Sequence, residues 1–344
     1  MDTLSEAYKG IPLNLGDIIP LDFSSPPPTL PDSHAWFQPS DDDCSFDDPA
    51  SSMPIIDFLD PKATELIGLA CEKWGAFQLK NHGIPLDVIQ GTEEEVKRLF
   101  SLPTEQKLKA LRSPGGASGY GRARISPFFP KSMWHEGFTI IGSSARDVKK
   151  IWPDDYARFC DRMENYEKEM KVLAERLTEM LFDMLKIPEE KRKWVVTSDI
   201  SEVLQLNFFP SCPEPDRAMG LAPHTDTSIL TIVQSPSTGL QLFKEGKGWI
   251  NVHPHPNSLI VHLGDLLHII SNGRFCSPLH RVTLNETRKR YSIAYFYTPP
   301  VDYVLSPSLS GDNSPVALFR DVTVKEYHEI RAQKFGNSLS LVRI

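Results

Sequence analysis

The longest regular pattern of hydrophobic positions lies between residues 156 and 184. Apolar residues recur there at steps that alternate between three and four: Tyr156, Phe159, Met163, Tyr166, Met170, Leu173, Leu177, Met180 and Met184. Such spacing places one apolar stripe along a helix, and a coiled coil has the same spacing. Only about four heptads precede Pro188, within a globular sequence. We therefore predict one long helix whose stripe packs against a sheet.

After about residue 202 the pattern changes to short apolar runs separated by turn residues. Glycine, proline and asparagine lie between the runs, as in Glu245-Gly246-Lys247-Gly248 and Asn272-Gly273. The predicted strands are residues 203–209, 230–234, 240–243, 249–252, 259–263, 280–283 and 291–297. Short strands at this spacing are typical of a sandwich or a jelly-roll barrel.

The first 200 residues differ from the second half in composition and in hydrophobic pattern. Residues 1–52 are rich in Pro, Ser and Asp and are predicted to form an extended arm. Residues 53–58 and 76–79 predict short strands, and Asp60-Pro61 predicts the start of a helix between them. The predicted organisation is an arm (1–52), a mainly helical region (53–200), a jelly-roll core (201–300) and a C-terminal extension with a helix (301–344). The fold class is α+β.

Composition and charge narrow the possible partners. The 344 residues are 40% hydrophobic and 24% charged, as in ordinary soluble proteins. The net charge of −8 argues against nucleic acid or an anionic membrane surface as a partner. Five widely spaced cysteines without a C-x-x-C pair argue against a disulfide framework or a thiolate zinc site. No secretory signal and no apolar run of about 18 residues is present. We expect a monomeric cytoplasmic protein.

His224, Asp226 and His280 form the most specific chemical signal. Residues two apart on a strand face the same side, so His224 and Asp226 can face one metal ion, and His280 starts another predicted strand. Two imidazoles and one carboxylate, with other positions open, form the facial triad of non-haem Fe(II) oxygenases. Without a thiolate, Fe(II) or Mn(II) is favoured over a structural zinc ion. We predict these three side chains as the metal ligands.

Four other histidines are predicted not to bind the metal. His253 and His255 flank a proline and are expected in an exposed loop. His262 and His268 lie in an apolar stretch and are expected to be hydrogen-bonded groups of the core or its neighbourhood.

Arg290 is predicted to anchor an acidic co-substrate. Three protein ligands leave three open positions, of which a 2-oxo acid can occupy two and dioxygen the third. The far carboxylate of that acid then needs a fixed cation, and the planar guanidinium of Arg290 can bind it through two hydrogen bonds. Ser292 adds a hydroxyl on the same strand face. We assign Arg290 a catalytic role together with this binding role.

These residues resemble the plant 2-oxoglutarate- and Fe(II)-dependent dioxygenases, from about residue 54 to residue 300. The H-x-D motif of the family matches His224 and Asp226, its distal histidine matches His280, and its R-x-S motif matches Arg290 and Ser292. The N-terminal region of the family matches Trp74-Gly75-Ala76-Phe77 and Asn81-His82-Gly83. The resemblance implies a double-stranded β-helix (jelly-roll) core with packed helices. It also implies Fe(II), 2-oxoglutarate and ascorbate as cofactors, and oxidative decarboxylation of 2-oxoglutarate to succinate and CO2.

The resemblance also points to Asn207 as a co-substrate neighbour, with one departure nearby. The family commonly has Asn-x-Tyr where this chain has Asn207-Phe208-Phe209. Phe209 therefore lacks a hydroxyl that helps to bind the co-substrate. One lost neutral hydrogen bond is worth roughly 0.5–1.5 kcal/mol, so we expect weaker co-substrate binding with activity retained.

Three stretches resemble the gibberellin 3-oxidase branch of the family: residues 126–139, 212–221 and 264–269. The likeness implies a gibberellin, a rigid tetracyclic acid, as small-molecule substrate, and hydroxylation at C-3β. Oxidation at C-2, or at both carbons, stays open, as do a non-catalytic small-acid-binding jelly roll and a zinc hydrolase. A rigid apolar acid needs an aromatic pocket with a cation. The predicted substrate contacts are Phe296, Trp134, Met133, Phe138 and Arg122, with Arg124 and Lys131 as alternatives for the carboxylate.

Overall fold

The structure is a computed structural model that describes residues 11–37, 45–46, 52–196, 200–309 and 316–344. Its α-helices are α1 Leu15–Ile18, α2 Ala63–Lys73, α3 Leu86–Phe100, α4 Thr104–Leu108, α5 Ala145–Ile151, α6 Tyr156–Met184, α7 Glu189–Arg192, α8 Asp265–Ile270 and α9 Val324–Gln333. Its strands are β1 Ser45–Phe46, β2 Ile55–Asp57, β3 Ala76–Lys80, β4 Gly119–Gly121, β5 Glu136–Ile140, β6 Ser201–Phe209, β7 Leu221–His224, β8 Leu230–Gln234, β9 Leu240–Lys244, β10 Gly248–Asn251, β11 Leu259–Leu263, β12 His280–Val282, β13 Arg290–Thr298, β14 Val304–Leu305 and β15 Val322–Thr323.

Two sheets form the core of the molecule. The larger has eight strands in the order β2-β3-β11-β8-β13-β6-β5-β4, and the smaller has five in the order β1-β10-β9-β12-β7. Apolar side chains of both sheets meet in one buried cluster, to which the larger contributes Val233, Ile260 and Ala294 and the smaller Leu240 and Leu242. Two facing sheets with helices outside confirm the predicted α+β jelly-roll fold.

The long helix α6 has the predicted bounds. Its apolar stripe is buried and packs against α3 and against strands β8 and β13 of the larger sheet. The stripe therefore covers the outer face of that sheet, while the inner face is left for the site. Each fully buried large apolar side chain contributes about 1.5–3 kcal/mol, so this contact stabilises the sheet that carries much of the cavity.

The predicted strands of the second half all form. Residues 230–234 and 259–263 have the predicted bounds, and the other five predicted strands differ from the observed ones by one or two residues at an end. Strands β2 to β5, from the region predicted to be mainly helical, pair into the same eight-stranded sheet. The domain boundaries at residues 52, 200 and 300 stay a prediction.

Two features of the N-terminal half position later elements. Helix α2 begins at Ala63, after a turn in which Asp60 accepts hydrogen bonds from the N–H groups of Lys62 and Ala63, both at 2.8 Å. Residues 11–37 of the predicted arm lie against the fold, since Ile18 O accepts from Arg122 N at 2.8 Å. Of the helices in the described part of the chain, none is both long and apolar enough to cross a membrane.

Candidate active site

His224, Asp226 and His280 converge at the edge of the smaller sheet. Antiparallel β7 and β12 pair His224 with His280, and the two ring centroids are 4.2 Å apart. Asp226 lies two residues beyond the end of β7, on the segment that leads to β8. Its Oδ1 is 3.7 Å from His224 Nε2 and 3.6 Å from His280 Nε2. Ligand atoms about 2.0–2.2 Å from one ion lie roughly 3–4 Å apart, so the three side chains fit a single metal ion.

Backbone carbonyls fix which nitrogen of each imidazole faces the site. His224 Nδ1 lies 2.8 Å from Ala222 O, and His280 Nδ1 lies 3.1 Å from Pro278 O. A carbonyl oxygen only accepts, so each Nδ1 carries the proton and each Nε2 presents its lone pair. Outer hydrogen bonds of this kind orient the histidines of metal sites.

Burial and neighbouring groups set the charge of the cluster. Burial lowers the pKa of His224 and of His280, so both imidazoles are neutral at neutral pH. Burial by itself raises the pKa of the Asp226 carboxyl, but the imidazoles of His280, His262 and His224 lower it below its usual value. The Asp226 carboxylate thus places a buried negative charge beside the Nε2 lone pairs of His224 and His280, a donor set that a divalent cation would complement.

A second buried carboxylate joins the segments that carry the ligands. Asp265, the first residue of α8, accepts hydrogen bonds from Thr225 Oγ1 at 3.2 Å, Tyr327 OH at 2.7 Å and Ser277 Oγ at 2.7 Å. Its own N–H donates to Asp226 O at 2.8 Å. One side chain therefore ties together both ligand-bearing segments and helix α9.

We expect Asp265→Asn to weaken metal binding about 10- to 100-fold, the usual effect of removing an outer partner of a metal ligand. The amide has one acceptor oxygen in place of two, so it cannot accept from all three hydroxyls. Calorimetric titration of the metal-free protein with Mn(II) measures the affinity. Asp216→Asn, at an exposed carboxylate, is the control and should bind Mn(II) like the parent chain. Equal Mn(II) affinity in both variants would show that Asp265 does not position the ligands.

Arg290, Ser292 and Asn207 form a polar cluster on two neighbouring strands of the larger sheet. The register of β13 and β6 pairs Ser292 with Asn207, and Arg290 with Phe209. Arg290 Nη1 donates to Ser292 Oγ at 3.2 Å, and Asn207 Nδ2 donates to the same oxygen at 3.4 Å. We call these three side chains the cradle.

The cradle holds a buried cation. Arg290 is 6% exposed, and its Nε finds no hydrogen-bond partner among the described residues. Burial lowers the pKa of Arg290 to about 10, so the guanidinium stays charged at neutral pH. Phe209 lies beneath it, with the ring centroid 5.0 Å from Cζ. A buried guanidinium with an unpaired donor is suited to an anionic ligand.

The three metal-binding residues and the cradle line one cavity. The apolar part of its wall includes Ile125, Phe128, Ile141, Phe296 and Phe335. Three arginines also line it: Arg112, Arg124 and Arg331. The cavity therefore combines a metal-binding cluster, an anion-binding cluster, apolar walls and further cations, which suits a largely apolar acid.

One of the five predicted substrate contacts lines this cavity, and the five stay a prediction. Phe296 lines the cavity, whereas Trp134, Met133, Phe138 and Arg122 do not. Strand alternation explains Phe138, because Thr139 faces the cavity and Phe138 packs in the core against Phe159.

The other three residues are engaged in packing and hydrogen bonds elsewhere. Trp134 is fully buried and donates from Nε1 to Ser211 O at 3.2 Å. Met133 Sδ accepts from the N–H of Ala222, and Arg122 Nη1 donates to Ser132 Oγ at 2.9 Å. Of the two alternatives for the carboxylate, Arg124 lines the cavity, and Lys131 donates to Asp32 O outside it.

The four histidines predicted not to bind the metal lie outside the metal-binding cluster. His253 and His255 lie in a loop, and His268 Nδ1 is 2.6 Å from Phe275 O. His262 is 1% exposed, with Nδ1 3.8 Å from Asp226 Oδ2, so it lies beside the ligand cluster.

Arg331 is a functional candidate that the sequence pattern did not indicate. It lies on α9 and donates to Thr225 twice, from Nη2 to the carbonyl oxygen at 2.5 Å and from Nη1 to Oγ1 at 3.2 Å. The C-terminal helix thereby contacts Thr225, the residue between two metal ligands. Nothing local in residues 324–333 signals this contact, which depends on tertiary packing.

Two family models match the chain. Residues 200–299 match the 2OG-Fe(II) oxygenase superfamily, and residues 53–155 match the model described as non-haem dioxygenase in morphine synthesis N-terminal. Gibberellin 3-beta-dioxygenase 1 of Pisum sativum is 47% identical over 100% of this chain and 94% of that protein. Gibberellin 3-beta-dioxygenase 1 of Arabidopsis thaliana is 45% identical over 99% of this chain and 98% of that protein.

Solved structures share the architecture. JOX2 in complex with 2OG, Fe and JA has a TM-score of 0.76 at 29% identity, covering 88% of this chain and 89% of that one. The rice dioxygenase for auxin oxidation has a TM-score of 0.69 at 23% identity, covering 85% of this chain and 100% of that one, and supports the fold alone.

Proposed function

Because the chain belongs to the 2OG-Fe(II) oxygenase superfamily, we propose that it hydroxylates gibberellins at C-3β, converting inactive precursors into bioactive hormones. The observation that carries the proposal is the identity of 47% over the whole chain with a gibberellin 3-beta-dioxygenase. The metal-binding cluster, the cradle and an apolar wall around one cavity agree with it.

The metal-binding cluster would hold Fe(II). His224 and His280 would bind it through Nε2 and Asp226 through its carboxylate, the ligand set that is typical of non-haem Fe(II) oxygenases. Bound Fe(II) supplies the dioxygen chemistry that couples decarboxylation of 2-oxoglutarate, to succinate and CO2, with substrate hydroxylation. Ascorbate would serve to keep the metal reduced.

The cradle would bind the far carboxylate of 2-oxoglutarate. Arg290 supplies the charge, and Ser292 supplies a hydroxyl to the same carboxylate. Asn207 holds Ser292 from the neighbouring strand. With the far carboxylate fixed, the 2-oxo end is directed toward the metal-binding cluster, which gives Arg290 its catalytic role.

The rest of the cavity would take the substrate. A gibberellin presents an apolar ring system and a carboxylate, and the wall offers Phe296 and Phe335 for the rings. We propose that the arginines of the lining, Arg112, Arg124 and Arg331, hold the carboxylate in place of the predicted Arg122. We also propose that the protein is a monomer and that it is located in the cytoplasm. Light scattering tests the oligomeric state, and the distribution of a fluorescent fusion tests the location.

Regiochemistry separates this proposal from its nearest rival. Oxidation at C-2, or at both C-2 and C-3, would use the same metal and co-substrate residues. We expect a panel of C-3-unsubstituted gibberellins, incubated with Fe(II) and 2-oxoglutarate, to give 3β-hydroxylated products by mass spectrometry. Products hydroxylated at C-2 alone would overturn the assignment of position.

A jelly-roll protein that only binds a small acid is the alternative from another class. It would form no substrate-dependent succinate with Fe(II) and ascorbate present. A zinc hydrolase would keep its activity when Zn(II) replaces Fe(II), whereas we expect that exchange to stop turnover.

A further inference from the structure

His135 lies beside the cradle and is neither a metal-binding residue nor part of the cavity lining. Strand β5 pairs with β6 through Glu136 with Phe208 and Gly137 with Asn207. His135, the residue before β5, therefore comes level with Phe209. Its ring centroid is 5.0 Å from that of Phe209, and the side chain is 2% exposed. An imidazole is thus buried directly against the ring that supports the guanidinium of Arg290.

A chain of hydrogen bonds joins this imidazole to the cradle. His135 Nε2 lies 3.0 Å from Asn207 Oδ1, which also accepts from Gln205 Nε2 at 3.2 Å. The other end of the Asn207 amide donates to Ser292 Oγ. The amide oxygen therefore faces His135, so His135 Nε2 carries the proton and donates.

The neighbouring residues leave room for this arrangement and keep the imidazole neutral. A Cβ at Gly137 would lie 2.6 Å from Gln205 Nε2 and 3.0 Å from His135 Cε1, so only glycine leaves both groups in place. Burial, together with the nearby cations Arg112 and Arg290, lowers the pKa of His135 to about 4. His135 thus adds a hydrogen-bond donor to the cradle without adding a charge.

We infer that His135 is a positioning residue of the co-substrate site, acting through Asn207. It holds the Asn207 amide in the orientation that donates to Ser292, and so keeps Ser292 beside Arg290. His135 lies against Phe209, whose side chain has no group that can form a hydrogen bond. His135 therefore supplies the donor on that side of the cradle. The inference rests on the proposed role of the cradle in binding 2-oxoglutarate.

Equilibrium binding of 2-oxoglutarate tests this inference. Calorimetry on the full chain with Mn(II) in place of Fe(II), without gibberellin, gives Kd directly. We expect His135→Leu to raise Kd about tenfold, the effect of one buried hydrogen bond. His135→Gln keeps an N–H donor at similar reach and should stay within about threefold of the parent chain.

Two controls separate positioning from general destabilisation. His328 is a comparably buried histidine of α9 that does not line the cavity, and His328→Leu should leave the Kd for 2-oxoglutarate unchanged. Thermal unfolding and Mn(II) affinity show whether each variant is folded. An unchanged Kd in a folded His135→Leu, or an equal loss in His135→Gln, would overturn the inference.

The Kd for 2-oxoglutarate, measured without gibberellin, does not depend on which substrate the protein hydroxylates. Hydroxylation at another carbon, or of another acid, would leave the binding of 2-oxoglutarate untouched. A wrong substrate assignment and a wrong role for His135 therefore give different results.

Discussion

Asp226→Ala should reduce turnover by roughly a thousandfold or more, since a metal ion contributes several kcal/mol of charge stabilisation and each 1.36 kcal/mol is a factor of ten. The substitution removes both a ligand and the one negative charge of a cluster whose two imidazoles are neutral. The measurements are kcat with saturating 2-oxoglutarate, and the metal content after dialysis.

Two matched variants show why Asp226 matters. Asp226→Asn keeps the shape of the side chain and removes the charge, so we expect weaker metal binding and a turnover nearer to that of the alanine variant than to the parent chain. Asp216→Asn removes an exposed carboxylate and should leave kcat unchanged. A folded Asp226→Ala that retains its metal and turns over normally would contradict the assignment of the ligands.

Arg290→Lys should weaken 2-oxoglutarate binding by roughly 10- to 100-fold, because hydrogen bonds to charged groups are worth about 1.5–3 kcal/mol. Lysine keeps a charge but cannot make the parallel pair of hydrogen bonds that a guanidinium offers a carboxylate. It also ends too soon to donate to Ser292 as Arg290 does. The KM for 2-oxoglutarate should rise much more than kcat falls.

The pH dependence of this variant has a definite sign. Burial disfavours the charged form of a lysine and lowers its pKa, so the affinity of the variant should fall further as the pH rises through that lowered value. The parent chain keeps its charge because the pKa of Arg290 is about 10. Arg288→Lys, in the exposed turn before β13, is the control. Parent-like affinity in Arg290→Lys would show that the co-substrate carboxylate binds elsewhere.

The sequence predicted best those elements whose hydrophobic pattern is complete within the element itself. The stripe of α6 and the buried runs of β8 and β11 carry their own periodicity, so their bounds could be predicted. The pairing of β3 with β11 and of β5 with β6 could not, because the sequence of a strand does not specify a partner that lies far along the chain. The hydrogen bonds of Asp265 and Arg331 to Thr225 likewise join residues that lie far apart in the chain.

The chemistry of the site was easier to predict than its walls. The two histidines, the aspartate and the arginine follow a motif spacing that rarely arises by chance. The metal-binding residues and Arg290 could therefore be named from the sequence. Hydrophobic residues near a motif can face either side of a strand. Phe296 lines the cavity because it lies on the same strand face as Arg290 and Ser292, whereas nothing in the sequence around Phe138 indicates that it faces the core.

Parallel quantification of succinate and of hydroxylated product most directly tests whether these residues perform one coupled reaction. With a C-3-unsubstituted gibberellin, Fe(II), dioxygen and 2-oxoglutarate, we expect succinate and 3β-hydroxylated product in equal amounts, and neither product from Asp226→Ala. Succinate formed at the same rate without any gibberellin, or hydroxylated product formed without succinate, would contradict the coupling of co-substrate and substrate in this cavity.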